Sequence, residues 1–220
     1  MFLPLWCKIL NLHVPDLHML TAQECYKVFQ QSIDDYHTHD NVDARIVNPF
    51  QSGSFESLLY AKNWIDTVQW HLEDIIRLPD INPAEGILIK RRIDKSNQER
   101  TDLVEKIDDY FLSAFREVKP KPGARINSET PAWLLDRMSI LMLKIYHMRE
   151  QTVRAGASQD HIAKCQAKLD VLLEQKSDMQ LAFDELIEDI RGGARRFKVY
   201  RQMKMYNDES LNPVLYAQKK

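Results

Sequence analysis

Apolar residues recur at helical spacing in five stretches of the chain, and polar or proline-containing breaks separate them. Thr21-Ala-Gln-Glu24 is a capping box, in which threonine accepts from the glutamate N–H and the glutamate reaches back. Behind it, Cys25, Phe29, Ser32, Ile33 and Tyr36 predict a first helix ending near His37. Residues 40–53, with Asn48-Pro49 and Gly53, read as loop. A second helix starts near Ser54 with Leu58, Ile65, Val68, Leu72 and Ile75 as its stripe, and Pro79 stops it. Asn82-Pro-Ala-Glu85 supplies an N-cap and an N1 proline for a third helix. That helix runs to about Arg116, with Ile89, Ile93, Val104, Ile107, Phe111 and Ala114 inward.

After the linker KPKPGAR at 119–125, Thr130-Pro131 opens a fourth helix marked by Leu134, Met138, Leu141, Ile145 and Met148. AGASQD at 155–160 is a turn. A fifth helix follows through Ile162, Leu169, Leu172, Met179, Phe183, Leu186 and Ile190 to Gly192-Gly193. The mean spacing near 3.5 predicts an antiparallel hairpin of helices four and five. ARRFKVYRQMKMY at 194–206 reads as a short basic helix docked through Val199, Met203 and Tyr206. No stretch longer than four residues alternates at strand period. The expected fold is all-α: five main helices, including the long hairpin, plus a short basic C-terminal helix. Residues 1–20 read as an extension, with Met19 an alternative start. Residues 21–118 read as a three-helix layer, 119–130 as a linker, 131–206 as the hairpin and basic helix, and 207–220 as a tail, with 21–206 one domain.

One irregularity in this pattern carries chemistry. Between Ile93 and Val104 the inward stripe of the third helix is Ser96, Asn97 and Arg100. Unpaired buried polar groups cost roughly 1–3 kcal/mol each, so partners are required. The second helix offers Asp66, Trp70, Glu73 and Arg77 on one continuous face, with Asp74 beside it. Two readings follow: an internal ion-pair network, or a polar pocket for a small ligand formed by Asp66, Trp70, Glu73, Asp74, Arg77, Asn97 and Arg100. A metal reading uses Glu73, Asp74, Asp102, Glu105 and Asp108, because carboxylates on neighbouring helices can hold Mg²⁺ or Mn²⁺. Glu105-Lys-Ile-Asp108 matches half of the ExxE/ExxD pattern of all-α nucleotide pyrophosphohydrolases, and the other half is missing.

DDYHTHDNVD at 34–43 places His37 and His39 at the exit of the first helix, where imidazolium suits the dipole. They become ligands if that loop folds over the second and third helices. No Glu-x-x-His occurs, so a ferritin-like di-iron centre is not expected. His71 and Glu73 point to different helix faces, and His147 reads as a hairpin-surface or core-edge residue. Arg191, Arg195, Arg196, Lys198, Arg201 and Lys204, interleaved with Phe197, Tyr200 and Tyr206, could face an anionic partner.

Composition narrows the classes further. Thirty basic against 32 acidic residues give a net charge of −2, so no global field points to nucleic acid or membrane. Cys7, Cys25 and Cys165 form no paired motif and read as free thiols. No stretch reaches the length of a membrane span, and the apolar N-terminus lacks the features of a secretion signal, so a cytoplasmic protein is expected. There is no glycine-rich phosphate loop and no nucleophile elbow.

The stretches NWIDTVQWHLEDIIR, IKRRIDKSNQERTDLVEKIDDYF and SETPAWLLDRMSILMLKIYHM, taken in that order, resemble an all-helical bacterial family catalogued as domain of unknown function 4254. The resemblance covers most of the chain from Thr21 onward. It implies no catalytic residues. It emphasises Asn63, Trp70, Glu73, Asp74 and Arg77, then Lys90, Asp94, Asn97, Arg100, Asp102 and Asp108, then Asp136, Arg137 and Lys144. It also implies a loose association with surface-polysaccharide synthesis. The function expected is a binding or accessory protein whose partner is a small polar ligand or another protein, self-association included. The alternative is an Mg²⁺- or Mn²⁺-dependent phosphohydrolase of nucleotides or sugar nucleotides.

Overall fold

A computed structural model describes residues 19–202 and 209–211. Its elements in order are α1 (Ala22–His37), α2 (Phe55–Ile76), α3 (Pro83–Ala114), β1 (Arg125–Ile126), α4 (Pro131–Thr152), α5 (Gln159–Arg191) and β2 (Arg195–Arg196), then a 3₁₀ turn at Glu209–Leu211. The start signals sit where the sequence puts them. Thr21 and Glu24 close the capping box of α1, and Ser54, Asn82 and Thr130 cap α2, α3 and α4. The fold is all-α, with five α-helices and two short strand pieces among the described residues.

The main core runs through the bundle and draws on all five helices, including Phe29, Leu59, Phe111, Leu135, Met138 and Phe183, and a smaller cluster of Leu72, Ile89 and Ile93 joins α2 to α3. The hairpin is tied to α1 by polar contacts as well. Asp184 on α5 accepts from the Ala22 N–H at 2.8 Å, and the Tyr26 hydroxyl donates to the Lys176 carbonyl at 3.2 Å.

Two expectations are corrected. The first is the stripe of α2. Of Leu58, Ile65, Val68, Leu72 and Ile75, only Leu72 is buried. The buried set is instead Phe55, Leu59, Tyr60, Lys62, Asn63, Trp64, Asp66, Thr67 and Leu72. This helix is the centre of the bundle, packed by α1, α3 and α4. A helix covered on three sides shows no single stripe, and here part of its buried surface is polar.

The second correction is the basic segment. No helix spans 194–202, and 203–208 lie outside the described residues. Gly193 turns the chain with φ +72, and a Cβ there would lie 2.9 Å from the Lys119 carbonyl oxygen, so glycine is required. The segment then runs extended, and β2 pairs in parallel with β1. Lys121 donates to Gly193 at 2.9 Å and Asn127 to Arg196 at 2.8 Å. Beyond β2, half-buried Phe197 and Val199 alternate with exposed Lys198 and Tyr200, which is a strand period. Two of its cations reach acids on the bundle, while Arg196 and Lys198 stay exposed. Arg195 pairs with Asp189 at 2.9 Å, and Arg201 pairs with Glu105 and Asp109 of α3.

Candidate functional site

The polar interruption of α3 meets α2 and α4 in two different ways. Its inner part closes on itself. Arg100 lies 2.9 Å from Asp66 and 2.7 Å from each carboxylate oxygen of Asp136. Lys62, 1% exposed, pairs with Asp66 and, at 2.8 Å, with Asp136. Ser139 donates to Asp66 at 2.6 Å, and the Asn63 amide donates to Ser139 at 2.9 Å. Burial works against the Arg100 charge, but Asp66 and Asp136 more than offset it, so its pKa is raised. Two cations and two anions therefore balance within the bundle. One step outward, Gln69 accepts from Ser96 at 3.2 Å and donates to Asn97 at 2.8 Å.

The outer part is open. A cavity of about 340 Å³ is lined by Asp66, Gln69, Trp70, Glu73, Asp74, Arg77, Arg100, Ile140 and Leu143. Six of the seven residues expected at a polar pocket line it; Asn97 stands behind, held by Gln69. Glu73 pairs with Arg77 at 2.9 Å on the exposed rim. A larger cavity of about 740 Å³ shares Trp70 and Asp74 and continues between α4 and α5, lined by Lys144, His147, Met148, Gln151, Ala167, Lys168, Val171 and Leu172.

At the far edge of Trp70 three histidines meet. His37 ends α1, His71 lies on α2 and His147 on α4. Their ring nitrogens can be chosen to lie within 4.8 Å of one another, the one such grouping of potential metal ligands among the described residues. Each ring is covered by an aromatic neighbour from a different helix. Tyr36 stacks on His71 (5.1 Å, 14°), Trp70 on His147 (4.7 Å, 14°) and Tyr146 on His37 (4.2 Å, 26°). Burial, then His147 and His37, lower the pKa of His71, with Asp40 and Asp74 opposing.

The family model described as "Protein of unknown function (DUF4254)" matches residues 56–199. The chain belongs to this family. No curated protein and no solved structure matches it. The DUF4254 segment contains α2 to α5, and so the closed charge cluster, both cavities, His71 and His147. It begins after α1, so His37 comes from outside it.

The carboxylates expected to hold Mg²⁺ or Mn²⁺ do not converge. Helices α2 and α3 are antiparallel, with Asp66 against Arg100 and Phe55 stacked on Tyr110. At about 1.5 Å per residue this register places Asp102 roughly 13 Å and Asp108 roughly 22 Å along the axis from Glu73. Asp102 accepts from Gln98, Glu105 from Arg201 and the Gln202 N–H. Asp108 is buried and hydrogen-bonded by Thr130, the α4 cap, and burial raises its pKa. His39 is exposed, so only His37 of the His-x-His pair is drawn inward. The exit loop packs on α2 and α3 through Val42; the histidine drawn inward, His37 in the last turn of α1, meets His71 on α2 and His147 on α4 rather than Glu73 and Asp74.

Sequence reasoning missed Lys62, Ser139 and the three-histidine cluster. Lys62 stands four residues before Asp66, the spacing of a helical ion pair. The histidines carry a subtler signal. Tyr36-His37, Trp70-His71 and Tyr146-His147 are the three places where histidine follows an aromatic residue.

Proposed function

We propose that this protein binds a small phosphorylated ligand of the sugar-nucleotide class in the groove over the outer half of α2. The observation that supports the reading most is the pairing of the two cavities across Trp70. An indole ring is a platform for a base or sugar face. On one side stand Lys144 and Lys168, which have no acidic partner among the described residues and suit a phosphate. On the other stand Asp74, Glu73 and Arg77, which suit sugar hydroxyls. The floor between α4 and α5 is apolar, with Met148, Val171 and Leu172. This is the usual composition of a small-molecule site: mostly apolar walls and a few convergent polar groups. The proposal fits an accessory role in surface-polysaccharide synthesis. A phosphohydrolase acting on the same ligands through Mg²⁺ or Mn²⁺ is the weaker reading, because its carboxylates are spread along two helices.

A panel of nucleoside diphosphate sugars, titrated while tryptophan emission is followed, tests the reading. Saturable quenching is expected for at least one member. The Lys144→Ala/Lys168→Ala pair should weaken binding about tenfold or more, as expected for loss of about 1.4 kcal/mol or more. Absence of saturable binding across the panel would overturn it.

A further inference from the structure

The three histidines form more than an aromatic cluster. Their ring centroids stand 5.3 Å (His37 to His71), 5.5 Å (His37 to His147) and 5.4 Å (His71 to His147) apart, a nearly equilateral triangle. Their planes cross at 66°, 70° and 77°, so the rings are set as a three-bladed propeller, edge toward edge. For imidazoles bound tetrahedrally at about 2.0–2.1 Å, adjacent ligand nitrogens lie roughly 3.3 Å apart and ring centroids roughly 5.2 Å apart. The His37 and His71 Nε2 atoms are 3.3 Å apart.

The outer nitrogens of His37 and His147 fix the tautomers of those two rings. His37 Nδ1 lies 2.7 Å from the Ile33 carbonyl oxygen, which can only accept, so Nδ1 carries the proton and Nε2 offers its lone pair. His147 Nδ1 lies 2.9 Å from the Glu150 carboxylate, which directs its proton in the same way. His147 Nε2 is buried and has no hydrogen-bond partner. A histidine whose other N–H is held by a carbonyl or a carboxylate is the usual arrangement around a metal ion. Packing alone explains the covered faces of the rings. It does not explain why a nitrogen of each ring turns toward the other two.

We propose that His37, His71 and His147 are the protein ligands of a mononuclear site for a divalent late transition metal of the Zn²⁺ type, with a fourth position left for water or a bound ligand. Three neutral imidazoles suit Zn²⁺, Co²⁺, Ni²⁺ or Cu²⁺ and not the hard ions Mg²⁺ and Ca²⁺. The metal ties the C-terminus of α1 to α2 and α4 and sits beside the groove, whose wall includes His147. The site does not depend on the groove binding a sugar nucleotide, and a titration with metal alone separates the two ideas.

The chain freed of metal by chelator dialysis is titrated with Co²⁺, reading the visible absorption, and then with Zn²⁺ in competition. The expected result is one Co²⁺ per chain with the intense visible bands of a four-coordinate site, displaced by Zn²⁺. His71→Ala should abolish the bands and His39→Ala should leave them unchanged. Glu150→Ala, an exposed change that keeps all three ligands, should weaken binding about 10–100-fold. If His71→Ala does not fold, Glu150→Ala carries the test. No stoichiometric Co²⁺ binding, or wild-type affinity in folded His71→Ala or in Glu150→Ala, would overturn the proposal.

Discussion

Two polar clusters lie on the same helix, one turn and a half apart, and they are built on opposite principles. Around Lys62 and Asp66, every charge meets its opposite: Lys62 and Arg100 each reach both Asp66 and Asp136, and Ser139 and Asn63 complete the set. Around His71, the groups that converge are alike. Three imidazoles face one another. The one carboxylate in hydrogen-bond contact with them among the described residues, Glu150, holds the outer nitrogen of His147. A cluster whose charges are paired from within has little charge left to offer a ligand. A cluster of like imidazoles is a set of potential ligands, and it has a use for a cation. The first sets the register of α2, α3 and α4; the second is the place to look for chemistry.

The largest effect should come from opening the charge-paired cluster. Asp136→Ala leaves Lys62 and Arg100 facing each other with one acid between them. It should cost about 3–5 kcal/mol, seen as a lower urea midpoint at an unchanged slope. Zn²⁺ at a hundred times its dissociation constant should add about 2.7 kcal/mol to the wild type and nothing to His71→Ala. Ser139→Ala should cost about 1–3 kcal/mol, because Asp66 and Asn63 lose a buried partner. The exposed Glu73–Arg77 pair should matter little to folding, under about 1 kcal/mol for Arg77→Ala.

The smallest effect concerns Asp108, which is buried and, among the described residues, feels Arg201 as its cation only at a distance. Its raised pKa means the folded state holds its proton longer than the unfolded one. Its contribution is therefore favourable below the unfolded value, near 4, and is lost as pH rises through the folded value. D108N should remove that loss. The stability difference between variant and wild type should shift in favour of the variant from acid to neutral pH. A constant difference would show that the charge has no part in it.

Much of the fold is legible in the sequence because helix ends are local. Thr21, Ser54, Asn82 and Thr130 each cap with their own side chains, and Pro79, Pro83 and Pro131 punctuate through fixed dihedrals. The break at Ser96, Asn97 and Arg100 is legible too, since a polar residue at a core position demands a partner. Its partner on α4, Asp136, is not, because that requires knowing which helix closes the third side. The stripe of α2 fails for the same reason, since a helix buried on three sides has no solvent face to set the phase. The segment after Gly193 alternates at Phe197 and Val199, but its basic charge suggested a solvated helix when it serves to bridge α5 and α3. The histidines lie 34 and 76 residues apart along the chain, beyond any spacing rule. The repeated aromatic–histidine dipeptide was the available sign, and it makes sense once each aromatic ring is seen covering the histidine of another helix.

The contrast between the clusters can be read in one set of melting curves: wild type, Arg100→Ala and His71→Ala, each with and without Zn²⁺. The account predicts that Arg100→Ala melts far below the wild type yet keeps its Zn²⁺-induced rise. It predicts that metal-free His71→Ala melts close to the metal-free wild type and loses the rise. A Zn²⁺ response that survives in His71→Ala, or an Arg100→Ala protein as stable as the wild type, would contradict it.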